Sequence, residues 1–307
     1  MTERTHVPDH TELHVAVEGS EILVRDFGPA DAPAVIHHHG TPSCSLDLPA
    51  GWCGRPPGVR LVTFDRPGYG SSPAVRGRTV SDAGHWSAAI ADALGIEQFA
   101  LMGTSGGGPH AAAAAAVLTD RVTRLCVSVG LGPIGMDGFD WAVGMPAESA
   151  EEMRCAVRGE AELRAFVGMM MERDDPLGVW MEQLPPSDRE IVARPEVVRE
   201  EEEVGRVAFA QGPEGWVEDE LAFCNRAWGV DLAAVTARTL LLYGGSDVFV
   251  PHQHGDAMAT AIGHGQLVKV PGAGHWMRDV EPAVLEWLTS TGEASFALPG
   301  RSGRTKA

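Results

Sequence analysis

At 307 residues, 44% hydrophobic and 21% charged, the chain has the composition of a soluble globular protein long enough for one α/β domain carrying an insertion. A net charge of −18 opposes contact with nucleic-acid phosphates, and no apolar run approaches the length of a membrane span. Five scattered cysteines (Cys44, Cys53, Cys126, Cys155 and Cys224) lack Cys-x-x-Cys spacing, which speaks against a disulfide framework or a zinc site.

Residues 1–14 are polar, with no basic start leading into an apolar run, so a cytoplasmic protein is expected. Residues 12–17 and 21–27 are short runs around Gly19-Ser20 and predict an antiparallel hairpin. Residues 34–39 predict the next strand, which stops at Gly40-Thr41-Pro42. Residues 46–52 read as a short helix or an irregular segment. A further strand over 59–64 is closed by Asp65-Arg66-Pro67-Gly68-Tyr69-Gly70-Ser71-Ser72.

Helical spacing covers 80–94, with Thr79 or Ser81 as N-cap and Gly95 as a stop. Residues 99–102 are an apolar run ending in Gly103-Thr104-Ser105-Gly106-Gly107, and Pro109-His110 then leads into six alanines. Strand, tight glycine turn and helix are the context in which Gly-x-Ser-x-Gly marks a nucleophile elbow. Another strand, 122–129, ends at Gly130-Leu131-Gly132-Pro133. Strands alternating with helices predict an α/β fold, a mostly parallel central sheet with helices on both faces. Ligands of such sheets sit outside the carboxyl ends of the strands.

From Pro133 to Leu232 the strand rhythm is lost, and 23 Asp and Glu face only 9 Arg and no Lys. Leu163, Phe166, Val167 and Met170 make one helical stripe, and Val217, Leu221, Cys224 and Trp228 another. Pro195 opens a third helical stretch, in which Glu200 to Glu203 read as a solvated face. Seven of eleven methionines and four of eight tryptophans fall here, which suits both packing of the helices on each other and on the core and an adaptable apolar pocket wall. The expected organisation is a core of 1–132 and 233–307 and an all-helical insertion of 133–232. Within the core, a strand over 238–243, a helix over 252–262, a strand over 266–270 and a helix over 282–288 follow. From about 290 to 307 a small, polar, flexible tail is expected.

A serine hydroxyl needs a base to take its proton, and the base needs a group to fix its tautomer. Two strand-end turns after Ser105 supply them: Asp247 after Gly244-Gly245-Ser246, and His275 after Gly272-Ala273-Gly274. Asp65, Asp137 and Asp140 also follow strands and stay open as alternative acids. His37-His38-His39 invites a metal, but adjacent strand residues point to opposite faces and cannot all converge on one ion. His110 is expected to pack beneath the elbow.

The order Ser…Asp…His, with His39-Gly40-Thr41-Pro42, the Asp65 to Ser72 loop, Gly103-Thr104-Ser105-Gly106-Gly107, Asp247 before Val250-Pro251, and Gly274-His275, resembles the α/β-hydrolase superfamily. The resemblance spans roughly residues 12–288 and implies that 133–232 is a helical cap. It also implies an oxyanion hole from the backbone N–H groups of Thr41 and Gly106, with His39 supporting that loop and, with Trp276, a candidate wall of the pocket. The expected function is a cofactor-independent, metal-free serine hydrolase acting on an ester, thioester or similar acyl bond of a largely apolar small molecule. Carbon–carbon, lactone or aminoacyl and proline amide cleavage by the same triad is the enzymatic alternative. The elbow and oxyanion loop depart from those of proline iminopeptidases, and a serine at 105 argues against aspartate-nucleophile dehalogenases and epoxide hydrolases. A ligand-binding receptor or pseudoenzyme is the non-enzymatic alternative.

Overall fold

The computed structural model describes residues 8–49, 58–173 and 182–299. Strands β1 (His10–Val17) and β2 (Ser20–Phe27) form the expected hairpin through Gly19, whose φ of +84° suits a residue without a Cβ. β3 (Ala34–His38), β4 (Arg60–Phe64), β5 (Phe99–Thr104), β6 (Val122–Ser128), β7 (Arg238–Gly244) and β8 (Gln266–Val270) complete an eight-stranded sheet. Its order is β1-β2-β4-β3-β5-β6-β7-β8, antiparallel at β1–β2 and β2–β4 and parallel thereafter.

Side-chain alternation divides the core into two layers. Phe99, Leu101, Leu241 and Tyr243 pack on one face with α1 (Asp82–Ala93), α2 (Gly107–Val117) and α8 (Gln253–Ile262). Ala100, Met102, Leu240 and Leu242 pack on the other with Leu285 and Leu288 of α9 (Glu281–Thr289). The alanine tract of α2 is buried throughout, and its small side chains bring that helix close against β5 and β6. Such helices on both faces leave the carboxyl ends of the parallel strands as the edge where a site can form.

Between β6 and β7 run α3 (Ala147–Arg158), α4 (Glu160–Met171), α5 (Pro186–Val192), α6 (Pro195–Ala208) and α7 (Glu214–Cys224), among the described residues. Helices α3, α4 and α7 share a small core of their own that includes Leu163, Val167, Met170, Trp216, Val217 and Leu221. Both predicted stripes therefore point inward; Trp228, beyond the end of α7, packs against the main core instead. No stripe announced α3 or α5. The reason is visible in α3, whose buried face includes Ser149 and Glu152 beside Ala150 and Met153.

Two further expectations change. Glu200 and Glu201 are not a solvated face: Glu200 accepts a hydrogen bond from Arg278 Nη2 at 2.5 Å, and Glu201 Oε1 accepts one from Trp276 Nε1 at 3.0 Å. The stretch read as a tail from 290 is held as far as Phe296. That ring is buried, its N–H donates to Gln266 Oε1 at 2.9 Å, and Arg124 Nε donates to Ser290 O at 3.2 Å. The rest of that tail from 300, and residues 50–52 of the segment read as helical or irregular, lie outside the described residues; 47–49 carry no regular structure.

Candidate active site

Ser105 follows β5 directly and takes a φ of +53°, a left-handed conformation that costs a non-glycine residue about 1–3 kcal/mol. The surroundings enforce it. Ser105 N–H donates to Ser128 O on β6, and Ser105 O accepts from Gly108 N, both at 2.9 Å. The turn tolerates only small neighbours: a Cβ on Gly103 would fall 2.3 Å from Gly107 O, and one on Gly107 would fall 2.0 Å from His38 O. Beneath the turn, His110 is buried and its Nδ1 donates to Gly106 O at 3.0 Å, as expected of a packing residue.

The loop after β3 passes over this turn. A Cβ on Gly40 would sit 3.6 Å from Ser105 Cβ, and one on Gly106 would fall 2.3 Å from Thr41 Oγ1. The Thr41 hydroxyl is already engaged, donating to Asp219 Oδ2 at 2.5 Å. His39 Nδ1 donates to Gly40 O at 2.7 Å, and its Nε2 accepts from Arg66 N at 3.2 Å. His39 thus braces the loop; it does not wall the cavity, as the sequence reading had allowed. His37 and His38 diverge to Thr104 Oγ1 and Ser87 Oγ, both at 3.1 Å, and burial pushes the pKa of all three histidines down. No group of three or more His, Cys, Asp or Glu among the described residues is arranged to hold a metal ion.

At the far end of the same edge, His275 Nδ1 donates to Asp247 Oδ2 at 2.8 Å. Asp247 is fixed through its other oxygen, which accepts the N–H groups of Phe249 at 2.8 Å and Val250 at 3.0 Å. Asp137 and Asp140 are exposed, and Asp65 is buried in a loop network with Ser45 and Ser71, so the acid bonded to His275 is Asp247. A second carboxylate reaches His275 from the helical segment. Asp188 of α5 is fully buried and accepts the backbone N–H of His275 at 2.8 Å and of Trp276 at 3.2 Å. Burial opposes charging of the His275 imidazole, but Asp247, Asp188 and Glu201 outweigh it, and its pKa lies above the ordinary histidine value.

A buried charge cluster joins α7 to the Thr41 loop. Asp219 accepts from Arg66 Nη2 at 2.6 Å and from Tyr69 OH at 2.9 Å, and pairs with Arg78 Nη1 at 2.6 Å. Burial works against its charge, yet the two guanidiniums hold its carboxyl well below the usual carboxylate range. Arg66 also donates to Gly40 O at 2.7 Å and to Thr41 Oγ1 at 2.9 Å. Two cations thus face one anion directly behind the loop.

These groups surround a cavity of about 210 Å³. Thr41, Ser105, Gly106, His275 and Trp276 line it, with Asp247 behind His275. Apolar walls come from Leu131, Met145, Met153, Phe223 and Phe249. The lining also holds Glu152, Glu201 and Glu220, so the expected largely apolar pocket carries three carboxyls. Sequence reasoning missed these three, together with Asp188 and Asp219. The one signal for Asp219 was indirect: Arg66 and Arg78, in loops without an adjacent acid partner for both, demand a counter-ion once buried.

A family model described as the alpha/beta hydrolase fold matches residues 33–282. The chain is 26% identical over 268 residues to a bifunctional esterase/perhydrolase of Acinetobacter calcoaceticus, covering 86% of this chain and 92% of the relative. It is 28% identical over 279 residues to a non-heme chloroperoxidase of Burkholderia pyrrocinia, covering 86% and 93%. A hydrolase structure from Pseudomonas aeruginosa superposes with a TM-score of 0.68 at 19% identity, over 93% of this chain and 100% of that one. A thermophilic esterase from Thermogutta terrifontis gives 0.62 at 23% identity, over 91% and 98%. These two solved structures share the fold.

Proposed function

Since the chain belongs to the α/β-hydrolase family, we propose that it is a serine hydrolase of the carboxylic-ester type, working through a Ser105–His275–Asp247 triad and an acyl-enzyme. The observation that carries this reading is a serine in a left-handed turn sharing one cavity with an imidazole whose Nδ1 is bonded to a buried aspartate at 2.8 Å. The esterase name of the Acinetobacter relative supports it.

With Nδ1–H committed to Asp247, Nε2 of His275 is the basic nitrogen. It takes the Ser105 hydroxyl proton as Oγ attacks the carbonyl carbon, and the carbonyl oxygen becomes an oxyanion. The backbone N–H groups of Gly106 and Thr41 receive that charge, and the excess cation of the Arg66–Arg78–Asp219 cluster favours it. His275 then returns the proton to the departing alcohol. Water repeats the sequence on the acyl-enzyme, releasing the acid and restoring Ser105. The helices between β6 and β7 act as the cap over this edge, with α3 and α7 contributing lining residues.

Turnover of p-nitrophenyl butyrate is expected and is lost in Ser105→Ala. Unchanged hydrolysis in that variant contradicts the reading, and so does a wild-type protein that hydrolyses no ester, which is what a ligand-binding receptor on this fold would give.

A further inference from the structure

The cavity wall contains three glutamates and neither lysine nor arginine. Glu201 is bonded to Trp276 Nε1. The other two acids come from different helices, Glu152 from α3 and Glu220 from α7, and are 9% and 6% exposed. Glu152 Oε1 accepts Trp216 Nε1–H at 2.5 Å, while Glu220 Oε2 meets only the weak Cys224 Sγ–H donor at 3.9 Å. No cationic side chain bonds either carboxyl among the described residues. Ser149 lines the same cavity one helical turn before Glu152, is 7% exposed, and its hydroxyl has no hydrogen-bond partner.

Two buried carboxyls facing one cavity are costly when both are charged. Burial accordingly pushes both pKa values upward, and at Glu220 the neighbouring Glu152 and Asp219 carboxyls add to the rise. A leucine or glutamine would fill either position without that cost. What the arrangement suits is a ligand with a compact positive charge and several N–H donors. An alkylammonium has three such donors, and the Glu152 and Glu220 carboxyls with the Ser149 hydroxyl present acceptors from three side chains. The apolar walls at Met153 and Phe223 suit the methylenes leading to it.

Its distance from the reacting centre is bounded. Phe223 abuts the elbow, since a Cβ on Gly106 would lie 3.2 Å from its ring. Glu220 stands three residues earlier on the same face of α7, about 4.5 Å along the axis. We propose that Glu152, Glu220 and Ser149 form a subsite for a protonated primary amine that the substrate carries a few bonds from its scissile carbonyl. This rests on the serine-hydrolase reading above.

The test uses full-length Ser105→Ala protein and calorimetry, so it does not depend on turnover. The 4-phenylbutylammonium ion is expected to bind about tenfold or more tightly than 4-phenylbutanol at the same pH. Changing both Glu152→Gln and Glu220→Gln removes that advantage. Equal affinity for the amine and the alcohol in the parent protein overturns the subsite and needs no further variant. In the wild-type enzyme, ω-amino-acid methyl esters should then exceed alkanoate methyl esters of equal length in kcat/KM by a similar factor at the best chain length. Hydrolysis of neutral esters without any preference for amino esters overturns the subsite and leaves the hydrolase reading standing. Absence of any Ser105-dependent hydrolysis overturns the hydrolase reading, and the calorimetry still decides the subsite.

Discussion

Ser105, Thr41 and His275 stand on turns at the carboxyl ends of sheet strands, whereas Glu152, Asp188, Asp219 and Glu220 reach the same region from helices between β6 and β7. The strand-edge groups depend on backbone demands that are local in sequence. A left-handed serine needs small residues around it, and a base at a strand end needs an acid on the neighbouring turn. The helical groups depend on burial and on partners far along the chain, 153 residues away for Arg66 and Asp219 and 87 for Asp188 and the His275 N–H. Nothing in a helix's own sequence states which buried acid will meet which distant donor. The first set is therefore written as motifs and the second as ordinary helical glutamates and aspartates.

The comparison is tested most severely at the strand edge. His275→Ala removes the proposed base and is expected to lower ester turnover by about 10⁴-fold or more, measured as kcat with p-nitrophenyl butyrate. Retention of substantial activity would mean that another group serves as base. On the helical side the largest effect is expected on stability. Asp219→Asn leaves Arg66 and Arg78 buried without their anion, and the loss should be about 3–5 kcal/mol by denaturant unfolding. Near-native stability would show that the cluster does not hold α7 to the Thr41 loop.

Asp188→Asn sharpens the boundary between the two sets, because this acid comes from a helix yet touches the loop that carries the base. In the proposed mechanism neutral His275 is the working form, so activity should fall as pH drops through its pKa, which lies above about 6.5. The groups that raise it are Asp247 on the preceding turn, Asp188 on α5 and Glu201 on α6. Removing the Asp188 charge should move the acid limb of kcat/KM to lower pH, with a modest fall in kcat. A limb that stays in place would reduce Asp188 to a packing role. The smallest effect is expected where a helical ion pair is only half-buried. Arg164 of α4 pairs with Glu214 at 2.7 Å near the surface, and Arg164→Met should cost no more than about 1 kcal/mol.

The eight strands were legible because alternation and glycine-bounded ends are strong local signals, and β8 agrees with its expected range residue for residue. The hydrolase-like edge was legible for the same reason: Gly103, Gly106 and Gly107 mark close approaches that no side chain could survive. Helix α3 was not, since the side it buries carries Ser149 and Glu152 and breaks the apolar stripe that would have announced it. Glu201 misled in the opposite way. A run of four glutamates on α6 reads as solvated, yet one of them turns inward to Trp276. In each miss, a polar residue was placed by what it meets across the fold.

The central claim is that Ser105 is an acylated nucleophile, and peptide mass spectrometry after reaction with a fluorophosphonate tests it most directly. The account predicts one adduct, located on Ser105, formed rapidly in the wild-type protein and far more slowly in His275→Ala. An unlabelled Ser105, or an adduct on another residue that forms at the same rate in both proteins, would contradict it.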